Sequence, residues 1–349
     1  SSVWTTTGRG RRAVVSAPSA AEAGSSSVAS RAPGVALHQI PSKTVRNLIH
    51  DRSQLQLAMV ILLGWCAMRY LLGVLLTLWV VPASAQSYDR IVVAGGDLTE
   101  MVIALGEKDR LVGVDSTSLY PPDVTELPQI GYVRRLTPEG LLTLEPDLLI
   151  GAHDVGPAIA VDQLRAAGVE VALAPEGDGA EAVVDKFTFV SEILGRQAEA
   201  AALIEAYRGE MDRIAAAIAT LKTEPKVLFI LSVRDGAPIV GGAGTAADSV
   251  IKLAGGRNVA VAVNGWKDMN QEAIIAAAPD VLLVMSSHLE GMGGFETLLA
   301  RPEIALTPAG RAGRTVEMDG SLLLQFGPRT PEGVRQLAEH LHVGLVFKR

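Results

Sequence analysis

From residue 90 onward, short apolar runs alternate with stretches of helical period. The runs are RIVVA from Arg90, LVGV from Leu111, DLLIG from Asp147 and VEVAL from Val169, then KVLFILS from Lys226, APIVG from Ala237, DVLLVM from Asp280 and TVEM from Thr315. Such runs, bounded by polar and turn residues, read as buried strands, and their alternation with helices predicts α/β architecture with largely parallel sheets. Between the two sets lies GRQAEAAALIEAYRGEMDRIAAAIATL, where Ile204, Tyr207, Met211, Ile214, Ile218 and Leu221 recur at steps of three and four. That is one apolar stripe on a long helix, with Glu, Arg and Asp on its other faces, stopped at Pro225. The pattern predicts two lobes, residues 86–181 and 225–349, joined by a rigid helical link over 182–224.

An internal repeat points the same way. TPEGLLTLEPDLLI (137–150) matches NQEAIIAAAPDVLL (270–283), pairing Glu139 with Glu272, Pro146 with Pro279 and Asp147 with Asp280. GGDLT (95–99) echoes GGAGT (241–245) in the same order and at a similar offset. Two such lobes hold a ligand in the crevice at the C-terminal ends of their strands.

The first 85 residues read differently. Residues 1–67 are rich in Ser, Ala, Gly and Arg with no apolar period, and are expected to be disordered or an upstream extension. Met68 opens MRYLLGVLLTLWVVPASAQS: one Arg, an apolar run and Ala83-Ser84-Ala85, the pattern of a cleavable signal peptide over 68–85. The competing reading is a membrane anchor, because the whole apolar stretch is long enough to span a bilayer; Arg69 near its middle and the Ala-x-Ala end favour cleavage. The only cysteine, Cys66, precedes Met68, so the exported part is expected to lack thiols and disulfides. Of the 31 Lys and Arg, eight lie in residues 1–85; of the 38 Asp and Glu, two do, so the remainder carries a net charge of −13. That surface excludes nucleic acid as a partner, since its binding rests on phosphate neutralisation by Lys and Arg. Export without cysteine predicts a periplasmic location.

Enzyme signatures are weak. GGAGTAADS lacks the Lys-Ser/Thr ending of a phosphate loop and reads as a turn into a helix, and there is no Gly-x-Ser-x-Gly elbow. His153, His288, His340 and His342 show no metal-binding spacing. His153 and His288 follow repeat-equivalent strands and so can reach a cleft; His340 and His342 read as surface residues. Tyr120 precedes Pro121 and Pro122, which places it on a loop after the strand LVGV. There its ring either packs down or is presented to a ligand, and a phenolate oxygen is a known ligand of haem iron.

At this point the chain resembles a known family. GGDLTEMVIALG, STSLYPPDVTELPQIGYVRRLTPEGLLTLEPDLLI and GGAGTAADSVIKLAGGRN, with LTPAGR and LLLQFGPRTPEGV near the end, resemble the periplasmic haem-binding proteins of bacterial haem-uptake ABC transporters, over essentially all of 90–342. The wider pattern is shared with binding proteins for cobalamin and siderophores, which is the same-fold alternative; a cleft-based α/β enzyme such as a reductase is the alternative of another class. The resemblance implies two Rossmann-like lobes joined by a single long helix, the class III periplasmic binding protein fold, with the ligand cleft between lobes. It implies haem b as the transported ligand, its iron bound by Tyr120. Several relatives carry a supporting basic residue two positions after the tyrosine; Pro122 stands there, and Arg134, Arg135 and Arg234 are the substitutes expected. His288 and Met292 are the candidates for a second ligand. The implied partners are an inner-membrane ABC permease with its ATPase and, upstream, an outer-membrane haem receptor. Relatives dock through one carboxylate per lobe: Glu139 matches the first, and Asp248, with Glu272 as its rival from the repeat, is expected for the second.

Overall fold

In the computed structural model, residues 59, 60, 63, 64 and 87–347 are described. The expected signal peptide over 68–85, Cys66 and nearly all of the expected extension lie outside these residues. Among the described residues, no helix is long and apolar enough to cross a membrane.

The first lobe is a four-stranded sheet of β1 (Ile91–Ala94), β2 (Leu111–Val114), β3 (Leu148–Gly151) and β4 (Glu170–Leu173), ordered β2-β1-β3-β4 and parallel throughout. Its helices are α1 (Gly96–Ala104), α2 (Pro138–Leu142) and α3 (Ala158–Ala166). Two helices follow, α4 (Ala180–Leu194) and α5 (Gln197–Ile218). The second lobe carries β5 (Lys226–Arg234), β6 (Ala237–Gly241), α6 (Ala246–Leu253), β7 (Arg257–Asn258), β8 (Trp266–Asp268), α7 (Gln271–Ala277), β9 (Val281–Met285) and β10 (Thr315–Met318). Short helical turns fill 286–312, and α8 (Gly320–Leu324) and α9 (Thr330–Leu341) close the chain.

The second sheet, ordered β10-β9-β5-β6-β8 with β7 also on β5, is mixed rather than parallel. The reason is local. β5 and β6 are joined only by Asp235 and Gly236, both at positive φ (49° and 82°), a two-residue hairpin turn too short for a crossover. The remaining expected strands form as read, while β7 and β8 are too short to leave a pattern.

The expected long helix forms as α5, 22 residues from Gln197 to Ile218, and α4 precedes it within the link. Gly195, left-handed at φ 67°, ends α4, and α5 starts two residues later. Glu181 in the first turn of α4 meets Arg208, well along α5, at 3.0 Å, so the two helices run back along each other. In α5, Tyr207, Met211 and Ile214 are buried as the stripe requires, but the helix stops at Ile218, before Pro225.

Both sheets are covered on two faces, which is why their strands read as continuous apolar runs. Ile91 and Val93 point into one core and Val92 and Ala94 into another; in the second lobe Val227 and Phe229 point one way, Leu228 and Ile230 the other. The inner core is shared: Ile91, Val93, Val190, Ile214, Val227, Phe229 and Leu283 belong to one cluster running through both lobes and the helix pair. Parting the lobes therefore uncovers apolar surface.

The repeat is structural. Asp147 accepts hydrogen bonds from the backbone N–H of Asp89 (2.7 Å) and Arg90 (3.1 Å) at the start of β1. Asp280 accepts one from Lys226 N (2.9 Å) at the start of β5. The residue before each Pro-Asp, Glu145 and Ala278, takes the same left-handed φ of 47°. One correction concerns His342: it is buried behind α6, Nε2 3.0 Å from the Ala254 carbonyl oxygen, whereas His340 is exposed.

Candidate functional site

A cleft of about 1140 Å³ lies between the lobes, lined from one side by Gly95–Asp97, Thr117, Leu119, Tyr132 and Arg134 and from the other by Trp266, Met285, His288 and Gln325. The first-lobe positions follow the C-terminal ends of β1 and β2, and Met285 and His288 lie at and after that of β9, where a parallel sheet leaves a crevice; Trp266 comes from β8 and Gln325 from the end of α8. Its volume lies just above the usual 300–1,000 Å³ of ligand pockets. The first Gly-Gly motif lines it. A Cβ on Gly96 would stand 2.4 Å from the Thr117 carbonyl oxygen and 2.5 Å from Gln325 Oε1. At the repeat-equivalent Gly242 it would stand 2.1 Å from the Val263 carbonyl oxygen. In both lobes the second glycine lets a loop backbone pass close by, at the start of α1 for Gly96 and just after β6 for Gly242.

The loop carrying Tyr120 is braced from below. Asp115, fully buried at the end of β2, accepts hydrogen bonds from Gly95 N (3.0 Å), Thr117 N (3.1 Å) and Ser118 Oγ (2.9 Å). Ser118 Oγ also meets Thr99 Oγ1 at 2.8 Å. This anchoring leaves Leu119 56% and Tyr120 45% exposed. Leu119 faces the cleft; Tyr120, the next residue, is not among the residues lining it, and its ring centroid lies 3.8 Å from the guanidinium carbon of Arg329. Arg329 comes from the second lobe, donates to both Glu100 oxygens (2.6 and 3.0 Å) and lies 3.1 Å from Ser321 Oγ. Burial pushes the Glu100 carboxyl up, and the hydrogen bond from Arg329 only partly counters that.

Of the expected basic residues, Arg134 reaches the cleft. It is oriented by Asp154 (Nε to Oδ2, 2.6 Å) and by the Tyr132 hydroxyl (2.9 Å). Arg135 is exposed, 6.0 Å from the Tyr132 ring centroid and outside the cleft lining, and Arg234 is exposed at the β5–β6 turn. His288 lines the cleft with Nδ1 3.1 Å from Ser287 Oγ, and His153 lines it from the first lobe. Met292 is not brought to them; it packs on the outer core of the second lobe. Trp266, on the edge strand β8, presents a partly exposed ring to the cleft while standing edge-on to Phe229, centroids 5.6 Å apart.

Several cleft residues went unread in the sequence. Lys186 of α4 reaches Asp97 of α1 at 2.6 Å and the Phe326 carbonyl oxygen at 3.2 Å, tying the link to both lobes at the cleft floor. One signal was available: Lys186 interrupts the apolar face made by Val183, Phe187 and Val190. Gln325 crosses the lobes to donate to the Thr117 carbonyl oxygen at 2.8 Å. Asp178 lines the cleft mouth, and burial pushes its carboxyl up.

The carboxylates expected to dock a partner separate clearly. Glu139 and Glu272 are exposed in the first turns of α2 and α7, at equivalent places of the two lobes. Asp248 is 4% exposed and cannot be presented. Its carboxylate accepts from Lys252 Nζ (2.7 Å), Asn258 Nδ2 (3.1 Å) and Gly244 N (3.4 Å). Burial alone would raise this carboxyl, but those hydrogen bonds outweigh it and hold it below the usual carboxylate range. The choice of Asp248 is corrected: behind the Thr245 cap, this first-turn aspartate ties Lys252, Asn258 and the Gly244 backbone of its own lobe together.

Comparison with known proteins agrees with this architecture. The periplasmic heme-binding protein BhuT, solved in complex with two hemes, is 39% identical with a TM-score of 0.69 over 73% of this chain and 100% of its own. The periplasmic heme-binding protein RhuT from Roseiflexus sp. RS-1, solved in apo form, is 39% identical with a TM-score of 0.70 over 72% of this chain and 97% of its own. A cobalamin-binding protein of Halobacterium salinarum is 26% identical over 262 residues, 73% of this chain and 69% of that protein. With residues 91–322 matching the family model described as periplasmic binding protein, and with these relatives, the chain belongs to the periplasmic binding protein family.

Proposed function

We propose that this protein captures haem b as cargo in the periplasm and hands it to an inner-membrane ABC permease and its ATPase, downstream of an outer-membrane haem receptor. It is a carrier rather than an enzyme, exported behind a cleavable signal peptide over 68–85. The observation that carries the reading is a braced loop that lines a large interlobe cleft with Thr117 and Leu119 and leaves the next residue, Tyr120, exposed. Leu119 and Trp266 supply apolar walls from opposite lobes, suited to the faces of a macrocycle. Tyr120 supplies the phenolate for ferric iron. Arg134, held by Asp154, is placed for a propionate, and His288 is the second-lobe candidate for the iron's other side. Glu139 and Glu272 are the docking pair.

The 39% identity to haem binders, against 26% to the cobalamin binder, favours haem over cobalamin. Hemin titration of the exported protein tests this. A shifted Soret band with a phenolate-to-iron charge-transfer band is expected, and Tyr120→Phe abolishes the latter. No spectral change with hemin, alongside saturable binding of cobalamin, overturns the haem reading. Mass spectrometry of the exported protein, expected to start at Gln86, tests the leader.

A further inference from the structure

We infer that the cleft recognises the porphyrin macrocycle itself, with Trp266 as the residue that selects for it, so that metal-free dicarboxylate porphyrins are a second class of ligand. This rests on the haem reading of the cleft and extends it to cargo without iron. Of the large apolar side chains exposed among the described residues, two line the cleft: Leu119, 56% exposed, from the first lobe and Trp266, 39% exposed, from the second. Apolar surface left in water favours a ligand that covers it, in proportion to the area covered. The indole is the larger of the two surfaces, and a flat π-system stacked on it gains more than the area alone supplies.

Trp266 is held in place for that role. β8 is the edge strand of the second sheet, and Trp266 stands opposite Gly241 of β6. A Cβ on Gly241 would lie 3.1 Å from Trp266 Cζ3, so the bare glycine gives the ring its seat. Phe229 of β5, fully buried, meets the same ring at an interplanar angle of 67°. With these two contacts already made, the indole has little rotamer freedom left to lose when a ligand arrives. The polar groups fit the rest of such a ligand. Arg134, fixed by Asp154 and the Tyr132 hydroxyl, offers a cation to a carboxylate at the macrocycle's edge. Lys186 is already paired with Asp97 at 2.6 Å and calls for no charge from the ligand. None of these contacts involves a metal: the walls meet flat apolar faces, and Arg134 meets the acidic edge. Metal-free protoporphyrin has the same macrocycle and the same two carboxylates as haem, and lacks only the bond to iron.

The molecule carries its own reporter. Trp4, Trp65 and Trp79 precede Gln86, which leaves Trp266 the one tryptophan of the exported protein. Its emission is titrated with metal-free protoporphyrin IX and, separately, with hemin; both are expected to quench it saturably, protoporphyrin with the weaker affinity. Trp266→Ala and Trp266→Phe are then titrated through the absorbance of the two ligands, with circular dichroism to check that each variant folds; the wild-type titrations need neither variant. Trp266→Ala is expected to weaken both ligands by a similar factor, roughly tenfold, and Trp266→Phe, which keeps an aromatic face, to recover most of it. Hemin that binds while protoporphyrin does not overturns the inference and leaves the haem reading standing. So does a Trp266→Ala protein with wild-type affinity for both ligands, or one whose loss is confined to hemin. Protoporphyrin that binds where hemin does not overturns the haem reading instead, and binding of neither overturns both.

Discussion

Lys186→Met is the sharpest test of how this molecule holds together. Lys186 Nζ lies 2.6 Å from Asp97 Oδ2, with the two side chains 9% and 12% exposed, and 3.2 Å from the Phe326 carbonyl oxygen. Methionine matches the lysine's apolar stem among Val183, Phe187 and Val190, so little packing is lost. What remains is a carboxylate shielded from water without its partner. Removing one member of a buried pair costs about 3–5 kcal/mol. Because Asp97 borders the cleft and water can reach it, the lower end, about 3 kcal/mol, is expected. For a domain of this size, at roughly 2–4 °C per kcal/mol, Tm falls by roughly 6–12 °C. The double variant Lys186→Met/Asp97→Leu should recover most of that, because an apolar pair is about as stable as a buried ion pair. Urea melts followed by circular dichroism at neutral pH measure all four corners of the cycle. A Lys186→Met protein within 1 kcal/mol of wild type would refute the reasoning, as would a double variant that simply adds the two losses.

Further outcomes follow from the same geometry. Gly96→Ala and Gly242→Ala should each destabilise by about 1–3 kcal/mol in thermal melts, because a Cβ meets a backbone carbonyl that cannot move aside; Gly140→Ala, whose Cβ comes no closer than 3.5 Å to a neighbour, should be neutral or slightly stabilising. The Asp248 carboxyl titrates below its unfolded value of 3.8, so its contribution is present above that pH and is lost as pH falls through the depressed folded value. Asp248→Asn should therefore lower stability at pH 7 while flattening the acid limb below about pH 4, which Tm against pH reads directly. Glu139→Arg and Glu272→Arg should leave hemin titration unchanged and each reduce uptake by proteoliposomes holding the cognate permease and ATPase; an unchanged uptake in the double variant would sink the docking assignment.

Much of the fold was legible because it rests on short-range pattern. The parallel strands are buried on both faces, so Ile91–Ala94 and Val281–Met285 stand out as apolar runs. The Pro-Asp repeats announced two lobes because each aspartate must satisfy the first N–H groups of a neighbouring strand. The tyrosine loop was legible because two prolines forbid helix or sheet interior. The mixed second sheet, by contrast, depended on the Asp235-Gly236 turn, whose brevity is clear only once β5 and β6 are paired. The long helix α5 was legible from its apolar stripe, whereas the folding of α4 back along it depended on one left-handed glycine, Gly195.

By itself, the chain's pattern determined the strands, the duplication, the loop that carries Tyr120 and the acidic, cysteine-free character of everything after residue 85. Those follow from local sterics, periodicity and composition, which are properties of neighbouring residues. Only the tertiary structure decided which charges meet: Lys186 with Asp97 across 89 positions, Arg329 with Glu100 across 229 and Gln325 with Thr117 across 208. It also decided that Asp248 is buried while Glu272 is free. Contacts of that range depend on how two sheets and a helix pair close on one shared core, and no periodicity along the chain encodes that closure.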